Sequence, residues 1–332
     1  MKLKKWQSRA LRVIGSVAIL TGLFWFIPFS EVVAALRNVN LAYATAGLLL
    51  MLSTAYLDAL ALWLPLHRAG VPGSQWAVFE IKMITRFYAQ FLPSELMAAA
   101  VKMHRLAGPT KQWGEVGAAL AFCRIVSMLV LVLLGLALWT IEMPSGPGRL
   151  VGYLLVAMAA GLLSIHFIAR SAAASRFAER VLTMRGFAKL QGKVLDKLLT
   201  VGRTMGDSYR LFGNTIYPII LLALTRHILG IVSFWLVAMA LDLHISFLTI
   251  GWIRVVMHAL LMLPISLAGI GVREGSLVVL LQEYAVLPNE AVALAFLLFV
   301  VTLLSNSTGG LFEIRNLLSP RPADERLRSG TK

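Results

Sequence analysis

The chain has 332 residues, of which 58% are hydrophobic and 14% are charged, and its mean hydropathy is +0.78. A soluble domain carries about 25% charged residues, so this composition excludes a soluble enzyme and favours an all-α polytopic membrane protein. The net charge of +15 does not indicate a nucleic-acid partner, because no soluble domain is left to present the basic residues.

The candidate transmembrane helices are apolar segments of about 20 residues, the length that crosses a bilayer core about 30 Å thick. The first resembles a signal peptide, but further apolar segments follow it, which favours a retained span. The third span contains Cys123, a single cysteine that excludes an internal disulfide and is expected to be an inert, buried thiol. The six predicted spans lie at 13–29, 41–64, 116–141, 150–169, 212–241 and 291–311.

Two further apolar segments, 76–106 and 246–284, each contain a Leu-Pro pair and several charges. Proline breaks a helix, and irregular backbone at membrane depth must be covered by protein or by a watery cavity. We therefore expect each segment to form a re-entrant hairpin of two half-helices. The residues expected to break the helices, cap them or allow the turn are Pro93, Ser94, Pro264, Gly269 and Gly271.

The distribution of basic residues predicts the orientation of the chain in the cytoplasmic (inner) membrane. If both termini are cytoplasmic, 23 of the 31 Lys and Arg residues fall on cytoplasmic segments, as the positive-inside rule requires. One hairpin then opens to each side of the membrane. The basic loop 170–210 either lies on anionic lipid headgroups or is a solvated connector, and 321–332 is predicted to be a basic cytoplasmic tail.

The two hairpins indicate an internal repeat of opposite orientation. Pro264 follows Pro93 by 171 residues, and Arg273 follows Lys102 by the same interval. Applied to the flanking spans, this interval predicts repeat halves at about 41–141 and 212–311 within a single domain, 1–320. Inverted repeats with broken helices are typical of secondary transporters, which bind substrate between the repeats near the midplane.

Charged residues inside the apolar segments are the candidate functional residues, because a charge at the bilayer centre costs at least about 2.5–3.5 kcal/mol. One interpretation is structural: Asp58, Glu95 and Glu274 neutralise the bases and hold the bundle together. The other is a partly hydrated cationic cavity that binds an anion. The candidate phosphate-binding residues are Arg273, Arg86, Arg124, Lys102, Arg226 and Arg254.

Arg273 is the leading candidate ligand for a phosphate group. A half-helix is predicted to begin near Val272, and its free N–H groups carry about half a positive charge. Arg273, in the first turn, adds a forked pair of donors that fits a phosphate. The six histidines show no metal-ligand spacing, and no nucleophile constellation is found, so we expect no metal, no cofactor and no catalytic residue.

Two motifs resemble the lysylphosphatidylglycerol synthase transmembrane-region family, often called flippase-like domain proteins. They are LPISLAGIGVREG at 263–275 and RFYAQFLPS at 86–94, and Arg124 falls where the family often has an arginine. The resemblance implies a lipid-translocating membrane domain. The chain departs from the family at 97–99, where Met-Ala-Ala replaces Gly-Gly-Asp. No aminoacyltransferase domain follows Pro320, so we expect a stand-alone member.

Two functions are therefore compatible with the sequence. The first is a flippase-like transporter for an anionic lipid, either a phospholipid or a polyprenyl phosphate. The second is a membrane-embedded accessory or scaffold subunit for a lipid-modifying enzyme or a glycosyltransferase, without transport of its own.

Overall fold

The computed structural model describes residues 29–90, 95–144, 147–171, 200, 204, 206–261 and 271–318. This part of the chain is α-helical apart from short turns and connections, and no strand occurs in it. Short 3-10 turns at Phe212–Thr215 and Gln282–Tyr284 adjoin the seventh and ninth helices. The helices are α1 (Phe29–Arg37), α2 (Leu41–Arg68), α3 (Gln75–Ala89), α4 (Glu95–Ala107), α5 (Trp113–Glu142), α6 (Pro147–Arg170), α7 (Ile216–Met239), α8 (Phe247–Leu261), α9 (Val272–Leu281) and α10 (Pro288–Leu318).

Among the described residues, five helical segments are long and apolar enough to cross a membrane, which confirms the all-α polytopic fold. They correspond to the second to sixth predicted spans, and each is longer than predicted. Hydropathy locates the apolar centre of a span, whereas the helix itself continues into the polar interface. The predicted span 13–29 lies outside the described residues except for Phe29, and the short helix α1 that begins there was not predicted. The five segments are Leu41–Arg68, Trp113–Glu142, Arg149–Arg170, Gly206–Met239 and Pro288–Asn316.

Two pairs of shorter helices lie in the two segments that are predicted to form hairpins. Helices α3 and α4 pack on each other, and so do α8 and α9; the residues between the partners, 91–94 and 262–270, include Pro93, Ser94, Pro264 and Gly269 and lie outside the described part. Helix α9 begins at Val272, as predicted. Gly271 precedes it with φ of 87°, a conformation that glycine adopts without steric cost.

The two halves of the chain pack in the same pattern. Helices α2 and α7 form the central pair, where Asn40 N donates to Ala240 O (2.8 Å) and Ser233 Oγ donates to Gly47 O (2.7 Å). The first helix of each pair of shorter helices packs on a helix from the other half of the chain. Helix α3 packs on α10, and α8 packs on α5. The other main contacts of α2–α5 likewise have counterparts in α7–α10.

Glycines allow these crossings to be close. A Cβ on Gly309 of α10 would lie 2.0 Å from the carbonyl oxygen of Met83 on α3. At the other crossing, a Cβ on Gly135 of α5 would lie 2.5 Å from Val255 Cγ2 of α8. Both helix pairs are therefore held at a separation that a larger residue would not permit.

Buried apolar side chains form two main clusters that meet on α5. One includes Phe122, which packs against the rings of Tyr209 and Phe212 at centroid distances of 5.0 and 5.5 Å. The other includes Leu131 of α5 and Trp252 of α8. The middle of α5 thus lies at the boundary of both clusters, close to the charged residues of the apolar segments.

The C-terminal end of α10 is joined to α3 and α4 by charged hydrogen bonds. Glu313 accepts one from Tyr88 (2.8 Å) and one from Arg105 (2.7 Å). Glu80 accepts one from Arg315 and one from Asn316, both at 2.6 Å. Two carboxylates are therefore engaged at this end of the bundle.

Replacing Glu313 with glutamine is expected to lower the free energy of unfolding by about 1–2 kcal/mol, because the hydrogen bond from Arg105 loses its ionised acceptor. Thermal unfolding of the purified protein in detergent measures the change. Glu283→Gln is the matched control, because Glu283 has no ion pair within the described structure, and its unfolding temperature should not move. Equal stability of both variants would contradict a stabilising role for the Glu313 contacts.

Candidate functional site

Asp58 of α2 is shared by three basic side chains. Its Oδ2 lies 2.5 Å from Lys82 Nζ and 3.5 Å from Arg86 Nη2, both on α3, and its Oδ1 lies 3.7 Å from Arg226 Nη1 of α7. Lys82 also donates to the backbone oxygen of Asp58 at 2.7 Å. We call these four residues the Asp58 cluster.

The helices fix this arrangement. Lys82 and Arg86 are four residues apart and share one face of α3, and that face meets Asp58 of the neighbouring α2. The Lys82 side chain is only 8% exposed, and those of the other three are between 18% and 25% exposed. Asp58 lies well inside the 28-residue α2, so the cluster occurs within the apolar length of the bundle rather than at its ends.

Ser127 and His227 connect the cluster to α5. Arg226 Nη2 contacts Ser127 Oγ and lies 2.9 Å from His227 Nε2, and Ser127 Oγ lies 3.1 Å from the same nitrogen. His227 Nδ1 is buried and has no hydrogen-bond partner in the described part of the chain. Sequence reasoning did not select this pair; the available signal was a polar residue facing a mid-span arginine.

Arg254 of α8 lies against the backbone of α7. A Cβ on Gly230 would lie 2.2 Å from Arg254 Nη2, so only glycine leaves room for the guanidinium there. Gly230 follows Arg226 by four residues, which places Arg254 one helical turn along α7 from the Asp58 cluster. Arg254 Nη1 is buried without a hydrogen-bond partner, and no ion pair to Arg254 is found within the described residues.

Arg273 lies outside this group. Its guanidinium carbon is 5.5 Å from the centre of the Phe299 ring on α10, and it has no ion pair with a described acid. The adjacent Glu274 is 3% exposed and accepts a hydrogen bond from Gly271 N at 2.6 Å. Glu274 thus caps the start of α9, and no ion pair between Glu274 and an arginine is found among the described residues.

The remaining candidate residues are placed as follows. Arg124 of α5 is exposed, and Lys102 of α4 is half-buried. Glu95 is the first residue of α4, and its side chain lies outside the described part. Cys123 is half-buried rather than buried, and its Sγ donates to Ala61 O at 3.3 Å. Within the described ranges, no group of His, Cys, Asp and Glu could hold a metal ion.

A comparison with known families finds a match over this architecture. The profile described as "Lysylphosphatidylglycerol synthase TM region" matches residues 13–310, a range that includes both motifs and nearly all of the described helices. Comparison with curated proteins and with solved structures gives no match. The chain therefore belongs to the lysylphosphatidylglycerol synthase transmembrane-region family and is a multi-pass membrane protein.

Proposed function

We propose that the protein moves an anionic, phosphate-containing lipid between the leaflets of the inner membrane. The main supporting observation is that Lys82, Arg86 and Arg226 share the single carboxylate of Asp58 within the apolar length of the bundle. Membership of a lipid-related membrane family agrees with this function.

An excess of buried cations has a specific physical meaning. Each uncompensated charge removed from water costs several kcal/mol, so such residues in membrane proteins usually face a cavity, a partner or a ligand. An anionic headgroup supplies the missing negative charge while its tails stay in the lipid. Lys82, Arg86, Arg226 and Arg254 then bind the headgroup, and Asp58 holds three of them in position.

The broken helix pairs provide the route for the headgroup. In this proposal α3–α4 and α8–α9 are re-entrant hairpins in two halves of opposite orientation, with both termini cytoplasmic. The site between them opens to one side and then to the other, as in transporters built from inverted repeats. Arg273 at the start of α9, Arg124 and Lys102 are proposed to guide the headgroup into or out of the site.

The test is lipid translocation by the full chain in liposomes. Fluorescent phosphatidylglycerol and a fluorescent polyprenyl phosphate are placed in both leaflets, and the fraction quenched by an impermeant reductant is followed over time. We expect the protein to accelerate translocation of an anionic probe, and Arg226→Gln to reduce the rate by about tenfold or more, because a charged hydrogen bond contributes about 1.5–3 kcal/mol.

Arg149→Gln is the matched control, because Arg149 is exposed in the first turn of α6 and has no ion pair within the described residues; its rate should equal that of the unchanged protein. Arg273→Ala tests the proposed guiding role separately. A folded protein that moves neither lipid would overturn the proposal and would favour the accessory role, which co-purification of a lipid-modifying enzyme would then support.

A further inference from the structure

The numbers of basic and acidic side chains at the site indicate which class of phosphate it binds. The site contains four buried or half-buried bases: Lys82, Arg86 and Arg226, which share Asp58, and Arg254, which lies one turn along α7 from them. The positive charges of these bases exceed the charge of this one carboxylate by three. This imbalance is larger than one negative charge can offset.

Other acids in the described structure do not correct the balance. Glu80 and Glu313 are engaged by residues at the end of α10, and Glu274 accepts from the backbone of Gly271. Glu95 is the remaining candidate acid, and its side chain lies outside the described part of the chain. The four bases exceed Asp58 and Glu95 together by two positive charges, so the site is positive even if Glu95 faces it.

Arg254 provides the most available donors. Its guanidinium is fixed against Gly230, and Nη1 is buried without a hydrogen-bond partner among the described residues. A planar guanidinium binds a phosphoryl group through two parallel hydrogen bonds. A terminal phosphoryl group has three oxygens and about 1.5–2 negative charges at neutral pH, whereas a phosphodiester has two free oxygens and a single charge.

We infer that the site selects lipids with a terminal phosphoryl group, that is, phosphate monoesters or diphosphates, over phosphodiester lipids. Arg226 of α7 and Arg254 of α8 both bind that group. The Arg254 guanidinium lies beside Gly230, one helical turn along α7 from Arg226. Gly230 is a specificity-determining position, because its lack of a side chain allows Arg254 to reach the site. This inference rests on the proposed function and narrows its substrate class.

A pair of lipids with identical tails tests the inference. Dioleoyl phosphatidic acid is a monoester and dioleoyl phosphatidylglycerol is a diester, so only the headgroup differs. Binding of each to the purified full chain in detergent is measured by competition against a fluorescent phosphatidic acid. We expect phosphatidic acid to bind about tenfold more tightly, since one additional charged hydrogen bond contributes that much.

Two variants identify the residues responsible. Arg254→Gln should reduce the preference to about twofold or less, and Gly230→Ala should do the same by displacing Arg254 without removing its charge. Arg149→Gln should retain the full preference. A circular dichroism spectrum and a thermal melt establish that each variant is folded. If one Arg254-directed variant does not fold, the other provides the same comparison.

The outcomes separate the two proposals. Equal affinities, or tighter binding of phosphatidylglycerol, would overturn the inference while leaving transport of an anionic lipid in place. Absence of binding and of translocation for both lipids would overturn both proposals. Inorganic phosphate is the third competitor: we expect it to compete only weakly, and competition as strong as that of phosphatidic acid would assign the site to the free anion.

Discussion

Asp58→Asn is expected to lower the free energy of unfolding by about 3–5 kcal/mol, the range measured when one partner of a buried ion pair is removed. Asparagine keeps the shape of the side chain but leaves Lys82, Arg86 and Arg226 without their common counter-ion. Since Lys82 is the most buried of the three, its charge becomes the most costly. Thermal or denaturant unfolding in detergent measures the change.

The control for this change is Asp242→Asn in the turn after α7, where 94% of the aspartate side chain is exposed; its melting curve should overlay that of the unchanged protein. A further consequence distinguishes a ligand site from a purely structural ion pair. Phosphatidic acid should stabilise Asp58→Asn more than it stabilises the unchanged protein, because its phosphate supplies the counter-ion that Lys82, Arg86 and Arg226 have lost. A ligand that binds only the folded state raises stability with the logarithm of its affinity. Unchanged stability of Asp58→Asn would contradict the role given to this carboxylate.

Gly309→Ala is expected to destabilise the protein by about 3 kcal/mol, at the upper end of the range for overpacked cores. The new Cβ would lie 2.0 Å from the Met83 oxygen and 2.6 Å from its carbonyl carbon. A backbone carbonyl cannot rotate away as a side chain does, so α3 and α10 must separate. Because α3 also carries Lys82 and Arg86, the rate of lipid translocation should fall together with the melting temperature.

Gly161→Ala is the matched control in α6. A Cβ at this position meets no atom within 4 Å, and alanine favours a helix over glycine by up to about 1 kcal/mol. Its melting temperature should therefore stay the same or rise. Equal effects of the two substitutions would show that glycine at 309 is not required for the crossing.

Local sequence patterns were sufficient to predict the described spans. Apolar length identified the five described membrane helices, whereas the Leu-Pro pairs at 92–93 and 263–264 lie outside the described residues and the breaks expected there stay predictions. The helix start at Val272 followed from the preceding glycine. These features depend on a few consecutive residues, which a sequence displays directly.

The composition of the site depended on tertiary packing and was only partly predictable. Arg86 and Arg226 were among the candidates and do share Asp58, whereas Arg273, the leading candidate, lies against Phe299. Which face of α9 meets α10 is decided by tertiary packing, and no local sequence pattern specifies it. The place of Arg254 beside Gly230 depends on the α7–α8 crossing, and no pattern within either helix specifies that contact.

The exchange of packing partners between the halves has a consequence for biogenesis. Tyr88 of α3 and Glu313 of α10 are 225 residues apart in sequence, and the same two helices are pressed together at Gly309. Helix α3 therefore leaves the ribosome long before α10 has been synthesised, and the face of α3 that contacts α10 is uncovered during that time. The contact between α3 and α10 forms only after α10 has been synthesised, so the first half of the chain cannot complete its packing alone.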